Sequence, residues 1–213
     1  MAAWDAAGRA VADLVEPGMR VGLGTGRSAA AGIRALGTRV AGGLRCVGVP
    51  TSQTSARLAR SLGIPLGRLS DPLDLAFDGA DAVDPAGWVV KGAGGALVRE
   101  RIVAAAAARF VVLVDAPKLV SELDAWGTLP IAVIPFAARR VVAQLAAHRP
   151  RMRAERSDDA LVIVDVRPQP GCEWPTLATE LERMPGVVDH GLFRVPLTDV
   201  FVGRTDGSVA APK

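Results

Sequence analysis

The sequence predicts an α/β protein in which a mostly parallel sheet carries helices on both faces and a smaller α+β lobe is added. Short runs of β-forming residues alternate with helical patterns up to position 114, which is typical of parallel βα units. The run Phe-Val-Val-Leu-Val at 110–114 is apolar throughout, as in a strand covered on both faces. Half of the 213 residues are hydrophobic and 22% are charged, so the chain can form a large core.

The elements of the first part follow one another at short intervals. Trp4, Ala7, Val11 and Leu14 recur at helical spacing, and Pro17-Gly18 ends that helix. The expected order is helix 2–15, strand 19–23, helix 28–36, strand 44–49, helix 52–62, strands 73–77 and 88–90, helix 96–108 and strand 110–114. The alternation of strands with helices makes the predicted sheet Rossmann-like.

The pattern changes after Pro130. The expected elements are strand 131–135, helix 137–147, strands 152–156 and 161–166, helix 176–184 and strand 187–193, which together resemble an α+β unit. Residues 200–203 and the turn Asp206-Gly207 are expected to return to the first sheet. We therefore predict a catalytic domain over 1–129 and 204–213, and a lobe over 130–203 that closes a cleft and contributes to oligomerisation.

Several classes of protein are disfavoured by composition. No apolar run reaches the roughly 20 residues that cross a bilayer, and the first residues lack the basic flank of a signal peptide. Cys46 and Cys172 are too few for a disulfide framework or a cysteine zinc site. A cytoplasmic protein without a membrane partner is predicted.

Charge is distributed unevenly along the chain. Residues 17–70 contain no Asp or Glu but carry arginines at 20, 27, 34, 39, 45, 57, 60 and 68, and aspartates follow at 71, 74, 78, 81 and 84. This division favours a site that holds an anion with one part and transfers protons with the other. Arginines solvated on helix faces explain it equally well. Nucleic acid is not expected as a partner, because residues 17–70 contain no aromatic side chain for stacking.

A glycine-rich loop, Gly22-Leu-Gly-Thr-Gly-Arg-Ser-Ala29, lies between a predicted strand and a predicted helix. Backbone N–H groups that converge at a helix N-terminus bind phosphate, although a plain tight turn would use the same glycines. A dinucleotide site needs an acidic residue about 20 positions later, and none occurs before position 71. The Gly-Lys-Ser/Thr of a nucleoside triphosphate loop is also missing. Neither missing feature excludes a site for a small phosphorylated metabolite.

Acid–base groups cluster further along the chain. Asp78-Gly-Ala-Asp81 follows a buried strand, and Lys91-Gly-Ala-Gly-Gly95 leads into a helix that carries Glu100. A lysine beside an N–H-rich loop stabilises an oxyanion, and a glutamate near a helix start can act as a general base. The structural alternative is that the aspartates cap loops and that Glu100 lies on the surface, paired with an arginine.

Taken together and in order, these motifs resemble the ribose-5-phosphate isomerase A family over nearly the whole chain. Residues 24–28 are similar to the family's Gly-Thr-Gly-Ser-Thr loop, and 78–82 to its Asp-Gly-Ala-Asp-Glu segment. Residues 91–94 and 99–101 are similar to its Lys-Gly-Gly-Gly and Arg-Glu-Lys runs. Asp115-Ala-Pro-Lys118, the stretch 129–135, Met184-Pro-Gly-Val-Val188 and Gly191-Leu-Phe193 follow in the family's order.

The resemblance implies a step of the pentose phosphate pathway, in which ribose 5-phosphate and ribulose 5-phosphate interconvert through an enediolate without metal, nucleotide or other cofactor. It implies that Glu100 moves the proton, while Asp78, Asp81 and Lys91 act in ring opening and on the sugar oxygens. The substrate-binding residues it implies are Thr25, Gly26, Arg27, Ser28, Gly79, Ala80, Gly92, Ala93, Gly94 and Lys118. It also implies a homodimer or homotetramer.

Five residues depart from the family pattern, namely Asp5, Arg27, Ala82, Ala93 and Pro117. They leave open a related isomerase that acts on another phosphorylated pentose or analogue in a specialised pathway. A sugar-phosphate-binding protein without catalysis is a second alternative, since the fold also serves as a sensing domain. A metal site is not expected, because His148 and His190 have no carboxylate at ligand spacing and Lys91 would compete for the aspartates.

Overall fold

The chain divides into two compact units. The computed structural model describes residues 3–169 and 171–210. The first unit comprises Met1–Ala80, Arg99–Leu119 and Val195–Lys213, and the second comprises Asp81–Val98 and Val120–Arg194. The domain division expected at 130 and 203 stays a prediction, and its ends at 1–2 and 211–213 lie outside the described residues, as does residue 2 of the expected first helix.

The helices and strands account for most of the described chain. The α-helices are α1 Ala3–Asp13, α2 Arg27–Ala41, α3 Gln53–Ser61, α4 Leu97–Ala105, α5 Ala138–Gln144 and α6 Trp174–Glu182. The strands are β1 Arg20–Leu23, β2 Val47–Pro50, β3 Leu73–Gly79, β4 Ala82–Val83, β5 Trp88–Val90, β6 Ala107–Asp115, β7 Leu129–Val133, β8 Arg151–Arg156, β9 Val162–Val166, β10 Val187–His190, β11 Leu192–Arg194, β12 Val200–Gly203 and β13 Val209–Ala210.

The first unit is built on a six-stranded sheet of order β13-β12-β6-β3-β1-β2. All neighbours pair in parallel except β12 and β13. Val21 and Leu23 of β1 pack with apolar residues of α1 and α2, whereas Gly22 faces Val103 of α4, whose Cγ1 would lie 2.4 Å from an added Cβ. Helices therefore cover both faces, and the predicted α/β class is confirmed.

The second unit contains antiparallel sheets. One has the order β10-β7-β9-β8 and the other the order β11-β5-β4. Its core includes Ile131 of β7, Val164 of β9, and Trp174 and Leu181 of α6, all less than 5% exposed. This is the α+β organisation expected from the changed pattern after Pro130.

Several expected elements are wrong in extent, since the helix expected at 28–36, for example, continues to Ala41 as α2, and two of the differences bear on the fold. The predicted strand 187–193 is divided at Gly191, so that β10 pairs with β7 while β11 pairs with β5 in another sheet. The predicted helix 96–108 ends at Ala105, and Ala107 already pairs with Leu73 of β3. The alanine run permits a helix, but pairing with a central strand overrides that local propensity. The short strands β4 and β13 were not predicted.

No helix within 3–169 or 171–210 is long and apolar enough to cross a membrane.

Candidate active site

The order of the strands creates a switch point between β1 and β3. The chain passes from β1 to β2 on one side and continues through β3 and β6 on the other. In open α/β sheets, ligands bind at the carboxyl ends of the strands beside such a point. The Gly24–Ser28 loop follows β1 and Asp78 lies near the end of β3, so both predicted groups flank it.

Two glycines of this loop are required for different reasons. An added Cβ at Gly24 would lie 2.2 Å from Cγ and Oδ1 of Asp78, so only glycine allows the loop and the carboxylate to approach each other. Gly26 precedes α2 with φ +102°, a region that L side chains rarely adopt, and a Cβ there would meet nothing within 4 Å. Glycine is therefore required at position 26 by the backbone conformation and not by crowding.

Asp78 anchors the loop across the switch point. Its side chain is 1% exposed, and its Oδ1 accepts hydrogen bonds from the backbone N–H of Thr25 at 2.9 Å and of Gly79 at 2.7 Å. The adjacent backbone is also joined, because Gly24 N–H donates to Phe77 O at 2.9 Å. These bonds fix the position of one carboxylate relative to the start of α2.

Thr25 is held on its other side by hydroxyl groups that the sequence analysis missed. Its Oγ1 lies 2.7 Å from Thr51 Oγ1 and 3.3 Å from Ser55 Oγ, and Ser55 donates to Gly24 O at 2.5 Å. Thr51 is 1% exposed and Ser55 4%. Because both follow β2, only the parallel pairing of β1 with β2 brings them to the loop.

The backbone N–H groups at the start of α2 receive no side-chain cap from the preceding residue. Gly26 offers no side chain to cap the helix, and the first-turn amides, including those of Arg27 and Ser28, have no i−4 partner within the helix. The Arg27 guanidinium lies 5.3 Å from the ring centroid of Trp4 on α1, within the range of a cation–π contact. Ser28 lies beside Gly79, since an added Cβ at Gly79 would be 3.5 Å from Ser28 Cβ.

The first unit holds three more of the predicted residues. Glu100 lies in the first turn of α4 and is 4% exposed. It is therefore buried, and the alternative in which Glu100 is a surface residue is wrong. Ala80 directly follows β3 and is half-buried. Lys118 ends a 3-10 turn, Ala116–Lys118, that follows β6, and is also half-buried.

The second unit holds Asp81 and the Lys91–Gly94 loop. Asp81 N–H donates to Val90 O at 2.7 Å, and its Oδ2 accepts from Ala93 N–H at 2.9 Å. Gly92 has φ +102°, and its carbonyl accepts from Gly95 N–H at 2.9 Å. Lys91 is 3% exposed, with Nζ 5.8 Å from the ring centroid of Phe193.

Arg153 of β8 holds this loop and was not predicted. Its Nη1 donates to the carbonyl oxygens of Gly92 at 3.0 Å and Ala93 at 2.8 Å. The same guanidinium forms a forked ion pair with Asp165 of β9. Arg153 follows Ala93 by 60 positions, so no local pattern connects the two.

Gly191 fixes the other side of Lys91. Lys91 N–H donates to Gly191 O at 2.8 Å, and Gly191 N–H donates to Pro130 O at 2.7 Å. An added Cβ at Gly191 would lie 2.1 Å from Lys91 O. The glycine that divides the expected strand 187–193 is therefore the one that allows the Lys91 backbone to approach.

Four of the departing residues fit their positions. Ala82 is fully buried in the apolar cluster of the second unit, and Pro117 lies in the first positions of its 3-10 turn, where proline is favoured. Asp5 is in the first turn of α1, where a carboxylate complements the helix dipole. Ala93 does not have a positive φ, so its Cβ carries no backbone strain there.

No group of three or more His, Cys, Asp or Glu side chains within 3–169 and 171–210 is arranged to hold a metal ion. His190, one of the two histidines, is 3% exposed and lies 3.3 Å from Glu182 through Nε2, while its Nδ1 accepts from Leu192 N–H.

Comparison with known proteins decides the family. The sequence profile of ribose 5-phosphate isomerase A (phosphoriboisomerase A) matches residues 47–207. The chain belongs to this family. The ribose-5-phosphate isomerase A of Natronomonas pharaonis is 46% identical over 211 residues, which cover 94% of this chain and 92% of that protein. The resemblance recognised from the sequence motifs is therefore confirmed.

Solved structures of the ribose 5-phosphate isomerase A family share the fold over the full length. The enzyme of Methanocaldococcus jannaschii is 36% identical with a TM-score of 0.90, covering 99% of this chain and 97% of that one. A D-ribose-5-phosphate isomerase solved in complex with phospho-erythronic acid is 32% identical with a TM-score of 0.88, covering 98% and 97%. Both proteins are more than 30% identical to this chain, so they are related to it in sequence as well as in fold.

Proposed function

We propose that this chain interconverts ribose 5-phosphate and ribulose 5-phosphate through an enediolate, with Glu100 as the base. The observation that carries the proposal is the burial of Asp78, Lys91 and Glu100 in a member of the ribose 5-phosphate isomerase A family. Burying ionisable side chains costs free energy, and a fold tolerates it where the groups are used. Histidine and cysteine apart, these three are the buried ionisable side chains among the described residues.

The phosphate group is proposed to bind at the start of α2. The first-turn N–H groups of Arg27 and Ser28, the Ser28 hydroxyl and the Arg27 guanidinium all suit a phosphate dianion. The backbone N–H and the hydroxyl of Thr25 already have protein partners, so its proposed contribution is to hold the loop. Gly26, Gly79, Ala80 and Lys118 complete the proposed binding residues of the first unit.

Proton transfer is assigned to Glu100. Its carboxylate removes the proton from C2 of the open-chain aldose, and the C–H electron pair forms the C1–C2 double bond while O1 takes up negative charge. The same carboxyl group returns the proton to C1, the O2 hydroxyl loses its proton to become the ketose carbonyl, and O1 is protonated. One base suffices, because C1 and C2 of the planar enediolate present the same face to it.

Lys91 is assigned to the charge that develops on the sugar oxygens. A buried ammonium group already in position stabilises an oxyanion more strongly than water does. In the same loop, Gly92, Ala93 and Gly94 are proposed as binding residues, Gly92 and Gly94 through their amides, since the Ala93 N–H already donates to Asp81. Asp78 and Asp81 are assigned to ring opening, in which a carboxylate accepts a hydroxyl proton and another group protonates the ring oxygen.

The test is turnover of ribose 5-phosphate by the purified protein, compared with Glu100→Gln. The variant keeps the shape of the side chain but not the base, so we expect kcat to fall by about 10²–10⁴-fold with little change in ligand affinity. In D₂O the wild type should place solvent deuterium at C1 of the ketose, and Glu100→Gln should not. Activity of the variant equal to wild type would contradict the assignment.

A panel of other phosphorylated pentoses separates the main proposal from the related-isomerase alternative. The departure at Arg27 is the observation that favours a changed substrate, because it adds a charge at the proposed phosphate loop. Higher kcat/KM for another sugar than for ribose 5-phosphate would favour that alternative. Binding of ribose 5-phosphate without turnover would favour the non-catalytic one.

The reaction is proposed to need no metal or other cofactor. A lysine ammonium supplies the positive charge that a metal ion would otherwise bring to the oxyanion. Dialysis against a chelator should therefore leave kcat unchanged. A loss that Mg²⁺ restores would contradict this part of the proposal.

A homodimer or homotetramer in the cytoplasm is proposed for the assembled protein. The support is a group of exposed apolar side chains, Phe136 at 100%, Ile134 at 48% and Val188 at 44% exposure. Large exposed apolar side chains of this kind mark contact surfaces. Sedimentation of the wild type and of Phe136→Ser tests the state, and a wild-type monomer would overturn it.

A further inference from the structure

A cavity of about 420 Å³ lies in the first unit where β2 ends and α3 begins. Pro50 and Ser52 line it from the β2 end, Arg57 and Arg60 from α3, and Arg99 from α4. None of these residues was assigned a role above. The cavity lies within the size range of small-ligand sites, about 300–1,000 Å³.

The lining is strongly positive. Three arginines and no carboxylate surround the cavity, and the chain has no Asp or Glu anywhere in 17–70 to neutralise Arg57 or Arg60. Within residues 3–169 and 171–210, neither of these two arginines forms an ion pair. Like charges around one cavity repel each other unless an anion lies among them.

The backbone adds to this positive potential. Helix α3 begins at Gln53, directly at the cavity, and its cap Ser52 accepts a hydrogen bond from Ser55 N–H at 3.1 Å. The partial positive charge of a helix N-terminus favours anions. Arginine side chains and a helix start together are the usual elements of a phosphate site.

The cavity is separate from the loop assigned to the substrate phosphate. No residue of Gly24–Ser28 lines it. The buried hydroxyls of Thr51 and Ser55 contact that loop, since Thr51 Oγ1 lies 2.7 Å from Thr25 Oγ1 and Ser55 donates to Gly24 O. Neither hydroxyl residue lines the cavity, so the cavity and the loop share no residue.

We propose that this cavity is a second anion site that binds inorganic phosphate or a phosphomonoester through Arg57, Arg60 and Arg99. The site goes beyond the proposed isomerase activity and does not depend on it. Arginine suits this ligand because its planar guanidinium donates two parallel hydrogen bonds to phosphate oxygens. Free phosphate and a phosphomonoester share this chemistry, and titration with each ligand distinguishes them.

The test is calorimetric titration of the full-length protein with inorganic phosphate at constant ionic strength. The variant is Arg57→Gln/Arg60→Gln, and the control is Arg34→Gln, which removes one exposed arginine of α2 away from the cavity. We expect the wild type and Arg34→Gln to bind one phosphate per chain more than the double variant. If the double variant still binds that phosphate, we expect its affinity to be about tenfold or more below that of the wild type. Phosphate binding by the double variant identical to wild type would overturn the proposal.

A second titration with glycerol 3-phosphate identifies the source of the anion. Loss of binding in the double variant for both ligands assigns a general phosphate site, and loss for inorganic phosphate alone assigns free phosphate. Glutamine preserves helix propensity on an exposed face of α3, so circular dichroism and Tm should match the wild type. The single variants Arg57→Gln and Arg60→Gln should show intermediate affinity. Because the readout is bound phosphate, it stays informative even if ribose 5-phosphate is not turned over.

Discussion

Arg153 and Asp165 form a forked ion pair, with Nε 2.8 Å from Oδ2 and Nη2 2.6 Å from Oδ1. The pair is about three-quarters buried, at 22% and 24% side-chain exposure. It turns the guanidinium so that Nη1 reaches the carbonyls of Gly92 and Ala93. A strand of the second unit thus fixes the backbone of the loop that begins with Lys91.

Replacing Arg153 with lysine should therefore affect catalysis as well as stability. Arg153→Lys keeps the charge but loses the fork and the two carbonyl contacts. We expect the free energy of unfolding to fall by about 1–3 kcal/mol. We expect kcat to fall about ten- to hundredfold, with KM changed less, because Lys91 is no longer held in position.

The control for Arg153 is Arg109→Lys. Arg109 Nε lies 2.8 Å from Asp199 Oδ1 in the first unit, in an ion pair that is 43% and 19% exposed. This variant also loses an arginine–aspartate pair but touches no predicted site residue. Urea unfolding and steady-state kinetics of both variants decide the matter, and an equal effect on kcat would mean that Arg153 acts on stability alone.

Gly24→Ala should damage the fold and the candidate site together. The new Cβ would lie 2.2 Å from the Asp78 carboxylate, so the loop or the aspartate must move. Overpacking of this kind costs about 1–3 kcal/mol. We also expect turnover to be nearly lost. Gly42→Ala, with φ −81° and the nearest atom 3.3 Å away, is the matched control and should stay within about 0.5 kcal/mol of wild type. Wild-type turnover by Gly24→Ala would disprove the role of this close approach.

Arg27→Ser should raise KM for the phosphorylated sugar about tenfold and change kcat little, because a charge-assisted bond to phosphate is lost. Trp4→Leu should raise KM in the same direction but less, since it removes the ring over which the guanidinium lies. Steady-state kinetics at constant ionic strength measure both effects. An unchanged KM in Arg27→Ser would show that Arg27 does not bind the phosphate.

The Cys172 thiol should react slowly at neutral pH. Partial burial raises its pKa, and the negative charges of Glu180, Asp124 and Glu173 raise it further. The thiolate is the reactive form, so at a given pH less of it is present than in a free cysteine, and the alkylation rate should rise with pH around a midpoint above the ordinary value. Iodoacetamide labelling in a Cys46→Ser background measures this. Glu180→Gln should shift the midpoint downward, and an unchanged midpoint would remove Glu180 as a cause.

Much of the first unit could be predicted because its signals are local. The alternation of strands and helices, Pro17-Gly18 after α1 and the all-apolar strand at 110–114 each depend on neighbouring residues. The extent of α4 could not, since the alanines at 104–108 suit a helix and only pairing with β3 converts Ala107 to a strand. The division at Gly191 likewise depends on contacts with Lys91 and Pro130, which are distant in the chain.

The sequence by itself determined the α/β class, the family, the glycine-rich loop and the residue types available for proton transfer and anion binding. These depend on residue identity and short-range order, which a single chain displays directly. Only the tertiary structure decided that Asp78 holds the start of α2, that Arg153 holds the Lys91 loop, and that Arg57, Arg60 and Arg99 line one cavity. Those relationships arise from strand order and helix packing, which join residues that local periodicity does not connect.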